Sequence, residues 1–110
     1  MLLADDEEKV LSALRLLLEQ EPGIGAIDEV DEATSLLAKA QETSPDVVLL
    51  DWELPGLRDD HLLPALRAQY PQLSVIALSG RPEARRQAIG SGADAFISKS
   101  DPPDVLLAEL

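Results

Sequence analysis

The amino-acid sequence predicts an α/β fold, a three-layer sandwich built on a parallel sheet. Three observations carry that expectation. Short apolar runs alternate along the whole chain with segments whose apolar residues recur at helical spacing, in the order βαβαβαβαβα. Two of the runs, Val47-Val48-Leu49-Leu50 and Val75-Ile76-Ala77-Leu78, are apolar at every position. A strand covered on one face alternates, so these two belong in the middle of a sheet covered on both faces. Finally, the loops are short and no linker, internal repeat or low-complexity stretch interrupts the pattern, so residues 1–110 read as one domain.

The strands are expected at residues 1–4, 24–30, 47–50, 73–78 and 95–97. Between the first two, Val10, Leu11, Leu14, Leu17 and Leu18 form one apolar stripe that Pro22-Gly23 ends. Ala33, Leu36, Leu37 and Ala40 repeat the stripe after Asp31, the expected cap, and Ser44-Pro45 stops it. Leu62, Leu63, Leu66 and Tyr70 make a third helix, closed by Pro71, in which Pro64 is tolerable only within the first turn. The fourth, residues 82–91, opens with Pro82. Pro102-Pro103 opens the fifth, residues 104–110.

Composition removes several classes of function. Nine basic residues stand against 21 acidic ones, a net charge of −12. So acidic a chain repels phosphate backbones and anionic lipid, and its three aromatics, Trp52, Tyr70 and Phe96, are too few for a base-stacking platform. The absence of cysteine excludes disulfides and thiolate chemistry. The first residues lack the basic and long apolar regions of a signal peptide, and no apolar run approaches the ~20 residues of a membrane span. A soluble cytoplasmic domain with no direct nucleic-acid or membrane binding is expected.

Ligands of open parallel sheets bind beyond the carboxyl ends of the strands. Those ends deliver Asp5-Asp6 from the first strand, Asp51 from the third, Ser79 from the fourth and Lys99 from the fifth. Taken singly each has a plain structural explanation: a helix cap, a turn, a surface lysine. Three carboxylates, a hydroxyl and an ammonium on one sheet edge do not. Two carboxylates ~4 Å apart repel by roughly 4 kcal/mol at an effective dielectric near 20, so three together call for a cation. Hard oxygen ligands in a partly solvated site suit Mg²⁺. His61, the sole histidine, offers no zinc set and is expected as a polar residue near the start of the third helix.

These motifs resemble the receiver domain of bacterial two-component response regulators. The likeness runs through Leu3-Ala4-Asp5-Asp6, Asp46 to Gly56, Ala77-Leu78-Ser79-Gly80, Gly92-Ala93-Asp94-Ala95-Phe96 and Ser98-Lys99, covering essentially the whole chain. The resemblance implies a flavodoxin-like (βα)5 sandwich with strand order 2-1-3-4-5. It also implies that Asp51 accepts a phosphoryl group from a sensor histidine kinase. Asp6, Asp51 and the Glu53 backbone carbonyl would ligate Mg²⁺, with Asp5 acting through a water. Lys99 would pair with Asp51 and then with a phosphoryl oxygen, Ser79 would hydrogen-bond that group, and Phe96 would follow as the switching aromatic. By the same likeness the domain is a phosphoacceptor rather than a turnover enzyme.

Departures from the usual receiver pattern carry expectations too. The first strand and last helix are short, which suggests slight truncation at both ends of the 1–110 domain. Ser79 stands where Thr is commoner and keeps the hydroxyl. Lys99-Ser100-Asp101-Pro102 resembles the receivers that precede LuxR-type helix-turn-helix domains, which implies a DNA-binding output domain outside this chain. Arg81, Arg85 and Arg86 place a positive patch on the fourth helix. By resemblance, that helix, the fifth strand and the fifth helix form an output face, where Asp101, Asp104 and Glu109 of a second copy would dock in a homodimer. Glu53 and Arg81 lie two residues after Asp51 and Ser79, and a pair across the site mouth would lengthen the phosphorylated lifetime. The main rival is a degenerate receiver acting as a phosphorylation-independent interaction module. A phosphatase using Asp51 lacks an Asp-x-Asp-Gly motif and a cap, and a flavin site lacks a phosphate loop after the first strand.

Overall fold

The computed structural model describes residues 1–57 and 62–110. Five parallel strands, β1 (Leu2–Ala4), β2 (Asp28–Val30), β3 (Val47–Asp51), β4 (Ser74–Ser79) and β5 (Ala95–Ser98), form one sheet in the order β2-β1-β3-β4-β5. The helices are α1 (Glu8–Glu19), α2 (Leu36–Thr43), α3 (Leu62–Gln69), α4 (Arg85–Gly90) and α5 (Pro103–Ala108).

Alternation along the strands divides the core in two. Leu2, Ala4, Val48, Leu50, Val75, Ala77 and Phe96 face the layer that α2, α3 and α4 supply with Leu36, Ala40, Leu63, Leu66 and Ala88. Leu3, Leu49, Ile76, Leu78 and Ile97 face Leu11 and Leu18 of α1 and Leu106 of α5. The all-apolar β3 and β4 are therefore covered on both faces, as their composition required. Each fully buried leucine of this core contributes about 1.5–3 kcal/mol by leaving water.

Three local expectations are corrected. β2 spans three residues rather than seven, because Gly25 takes a φ of +75° that breaks extended backbone, while Ile24 and Ile27 pack from the loop onto the α1/α5 side. Asp31 does not cap the second helix. Glu32 holds the extended position before a 3₁₀ turn, Ala33–Ser35, and its carboxylate accepts from the Thr34 and Ser35 hydroxyls at 2.9 and 3.3 Å. The predicted fourth helix divides into a 3₁₀ turn opened by Pro82 and the six residues of α4. The expectation for His61 lies outside the described residues.

Candidate functional site

Register builds the site. Ala4 stands opposite Leu50, so the next residues, Asp5 and Asp51, leave the sheet side by side. Asp51 stands opposite Leu78 and Ser79 opposite Ser98, which brings Ser79 and then Lys99 to the same edge. Backbone bonds carry the ladder past the strands: Asp5 N–H to Val30 O at 3.1 Å, Trp52 N–H to Leu78 O at 2.7 Å and Lys99 N–H to Ser79 O at 2.8 Å. Gly56, with φ +84°, closes the loop after Asp51 against Ala33, whose Cβ lies 3.4 Å from where a side chain would begin.

Asp5 and Asp51 are each 1 % exposed and Ser79 is fully buried. Oxygens of Asp5, Asp6 and Asp51 all lie within 4.8 Å of one another. The Lys99 ammonium sits 2.9 Å from Asp5 Oδ2, 3.3 Å from Asp51 Oδ1 and 3.5 Å from Glu7 Oε1. Burial pushes the Asp51 carboxyl up to about 6, and the neighbouring Asp5 carboxylate adds to that rise. The Glu53 N–H, 3.1 Å from Oδ1, and the Lys99 ammonium oppose it without cancelling it. Burial by itself would lower Lys99, but the Asp5 and Asp51 carboxylates outweigh it and hold the ammonium above its ordinary range.

This donor set suits a hard divalent cation. One ammonium faces three carboxylates, and Asp5 Oδ2 is buried with no aligned hydrogen-bond donor, the Lys99 contact being a close ion pair only. The cluster as a whole holds more negative charge than its one ammonium offsets, which is the condition an oxygen-seeking cation relieves.

Around the cluster, polar contacts fix the loops. The Ser79 hydroxyl donates to Glu53 Oε1 at 2.6 Å and accepts from the Arg81 N–H at 3.0 Å. Arg81 Nη2 lies 3.6 Å from Glu53 Oε2, so the expected pair across the mouth is present. Trp52 is buried and its indole N–H donates to Gln87 Oε1 of α4 at 3.4 Å. Phe96 is buried beneath the Arg85 guanidinium, 5.2 Å from the ring centre, and its carbonyl accepts from Arg85 Nη2 at 3.3 Å.

All the strand-end residues named from the sequence thus converge. The arginines expected as a surface patch, Arg81, Arg85 and Arg86, are all exposed, with Arg81 beside Glu53 and Arg85 over the Phe96 ring. Asp101, expected on a docking face, accepts from the Ser98 N–H at 3.0 Å within the β5–α5 turn. Sequence reasoning did not find Glu7 beside Lys99, Gln87 beside Trp52, or the Glu53–Ser79 bond. Each joins residues at least 26 positions apart through side-chain reach that apolar periodicity does not encode.

A doubly wound α/β protein with an acidic pocket at the carboxyl edge of its sheet is the class that this fold and site define. Within it the chain belongs to the response regulator receiver domain family, whose model matches residues 1–110. It is 32 % identical over 109 residues to the transcriptional activator protein ExaE of Pseudomonas putida, covering 97 % of this chain and 51 % of ExaE. Its backbone is similar to a LuxR-family two-component response regulator from Aurantimonas, with a TM-score of 0.86 and 26 % identity over 97 % of this chain and 78 % of that one. It is also similar to the BeF₃-activated receiver domain of Klebsiella pneumoniae RstA, with a TM-score of 0.82 and 27 % identity over 98 % and 92 % of the two chains. The chain spans about half the length of the curated relatives it matches. Receiver domains are regulatory modules rather than turnover enzymes. No helix among the described residues is long and apolar enough to cross a membrane.

Proposed function

We propose that this domain is a phosphorylation-controlled switch in which Asp51 accepts a phosphoryl group from the phosphohistidine of a sensor kinase. The observation that carries the reading is the buried Asp51 carboxylate, held between Asp5 and Lys99 at the sheet edge. An Asp51 oxygen forms the new bond to phosphorus as the P–N bond breaks, and the electron pair leaves with the imidazole. Lys99 and the Ser79 hydroxyl then face phosphoryl oxygens and offset their charge. Asp6, Asp51 and the Glu53 carbonyl oxygen would hold Mg²⁺, with Asp5 acting through a water; when bound, the ion supplies further charge compensation.

The product replaces a carboxylate of charge −1 by a group of about −1.5 to −2, enough to bias a two-state loop. Ser79 moves with its loop, and Phe96, tied to α4 through Arg85, transmits that movement toward an α4/β5/α5 dimer face. The LuxR-family and transcriptional-activator relatives support a regulator of transcription with a DNA-binding output domain, which would work in the cytoplasm. A phosphorylation-independent interaction module is the weaker reading, because the meeting of Asp5, Asp6, Asp51, Ser79 and Lys99 at one sheet edge supports phosphoacceptor chemistry.

Trp52, one residue beyond Asp51, reports the site. Its fluorescence should change saturably with Mg²⁺ and again with beryllofluoride, and Asp51→Asn should lack the second change. A folded protein silent to both would give the interaction module the lead. The Glu53–Arg81 pair predicts that the phosphorylated form outlives that of Arg81→Ala, and equal decay rates would remove that role.

A further inference from the structure

Ser79 carries one hydroxyl proton, and in this structure that proton is engaged. Its acceptor is the Glu53 carboxylate, at a distance of 2.6 Å typical of a charge-assisted O–H···O⁻ bond. The Arg81 N–H occupies the other side of the same oxygen at 3.0 Å, so the rotamer is held from two directions. Ser79 is fully buried, so its hydroxyl has no water to turn to, while the Glu53 carboxylate that accepts from it is partly open to solvent. A hydroxyl donating to Glu53 cannot donate to a phosphoryl oxygen on Asp51.

We propose that Glu53 is a positioning residue that latches Ser79 in the resting state and so sets the threshold for switching. This rests on the reading of Asp51 as phosphoacceptor and adds its regulation. Forming the active site then requires Ser79 to leave Glu53, and the latch bond is lost in exchange for the phosphoryl contact. Removing the carboxylate removes a contact made only in the resting state. The population of the competent state rises, and with it the apparent affinity for any ligand that needs Ser79. Glu53 is released to Arg81, 3.6 Å away, when the latch opens.

The test is a double-mutant cycle of Glu53→Ala and Ser79→Ala, with Glu53→Gln as the shape-conserving control, read in two ways. Without metal or phosphodonor, the Arg81 amide resonance reports the latch directly. Glu53→Ala is expected to shift it strongly when Ser79 is present and little in the Ser79→Ala background, with Glu53→Gln between. With Mg²⁺ and beryllofluoride, Glu53→Ala is expected to tighten binding about tenfold, the lower range for a hydrogen bond to a charged acceptor, and to give no gain in the Ser79→Ala background. An equal gain in both backgrounds would mean that Glu53 acts through its charge alone and would overturn the latch. Unchanged or weaker binding in Glu53→Ala would also overturn it. If no variant binds beryllofluoride, the phosphoacceptor reading fails, and the Arg81 amide pattern still decides whether the latch exists.

Discussion

The two edges of the sheet each carry a carboxylate–cation constellation, and they are built on opposite plans. At the amino edge, Asp94 before β5 meets Arg67 of α3 in a two-pronged pair at 3.0 and 3.1 Å, and its Oδ2 also accepts from the Val75 N–H at 2.8 Å. Arg67 donates in addition to the Leu73 carbonyl. One anion meets one cation, both are partly exposed, and each carboxylate oxygen has a donor. At the carboxyl edge three carboxylates share one ammonium, two of them are buried, and Asp5 Oδ2 has no aligned donor. The first constellation is complete and holds α3, β4 and β5 together. The second is left short of positive charge, a shortfall that a divalent cation would relieve and without which a phosphoryl group would be disfavoured.

The largest effect that sharpens this contrast is a gain of stability on removing a site charge. The Asp51 carboxyl has its pKa raised from 3.8 to about 6. Below 3.8 it is neutral in folded and unfolded chains alike and its contribution to stability is fully present. As pH rises through about 6 it must ionise in a buried, acidic site, and that contribution is lost. Asp51→Asn stays neutral throughout. Urea denaturation without divalent cations should therefore find the variant more stable than the parent by about 2–3 kcal/mol at pH 8 and nearly equal at pH 4. A difference that does not grow with pH would break the comparison.

Arg67→Met should do the reverse. Leaving Asp94 without its partner should cost about 2 kcal/mol, nearly independent of pH between 6 and 8, and should leave the Mg²⁺ response of Trp52 intact. A smaller effect follows from ligand linkage. Free Mg²⁺ at ten times its dissociation constant should stabilise the parent by about 1.4 kcal/mol in the same denaturation assay. Arg67→Met should gain as much, because its lesion lies at the other edge, whereas Asp6→Ala should gain little.

Much of this was legible in the residues. β3 and β4 announce themselves because a doubly covered strand has no polar position, and the candidate site follows because polar residues at strand ends have few structural roles in common. What was not legible is local backbone geometry and side-chain reach. Ile24 and Ile27 look like strand, but the positive φ of Gly25 makes them loop residues that still pack. Asp31 looks like a helix cap, yet a 3₁₀ turn moves that position to Glu32. Glu53 and Arg81 were paired from spacing alone, but the shorter bond, Glu53 to Ser79, depends on a turn fixed by the Leu54 N–H to Asp51 O bond at 3.1 Å.

The central claim is that the uncompensated edge takes a phosphoryl group on Asp51, and intact mass tests it most directly. Wild type and Asp51→Asn would be incubated with Mg²⁺ and acetyl phosphate, each checked as folded, and weighed. The account predicts a single added phosphoryl group on the wild type and none on the variant. A folded wild type that gains nothing, or a variant that gains as much, would contradict it.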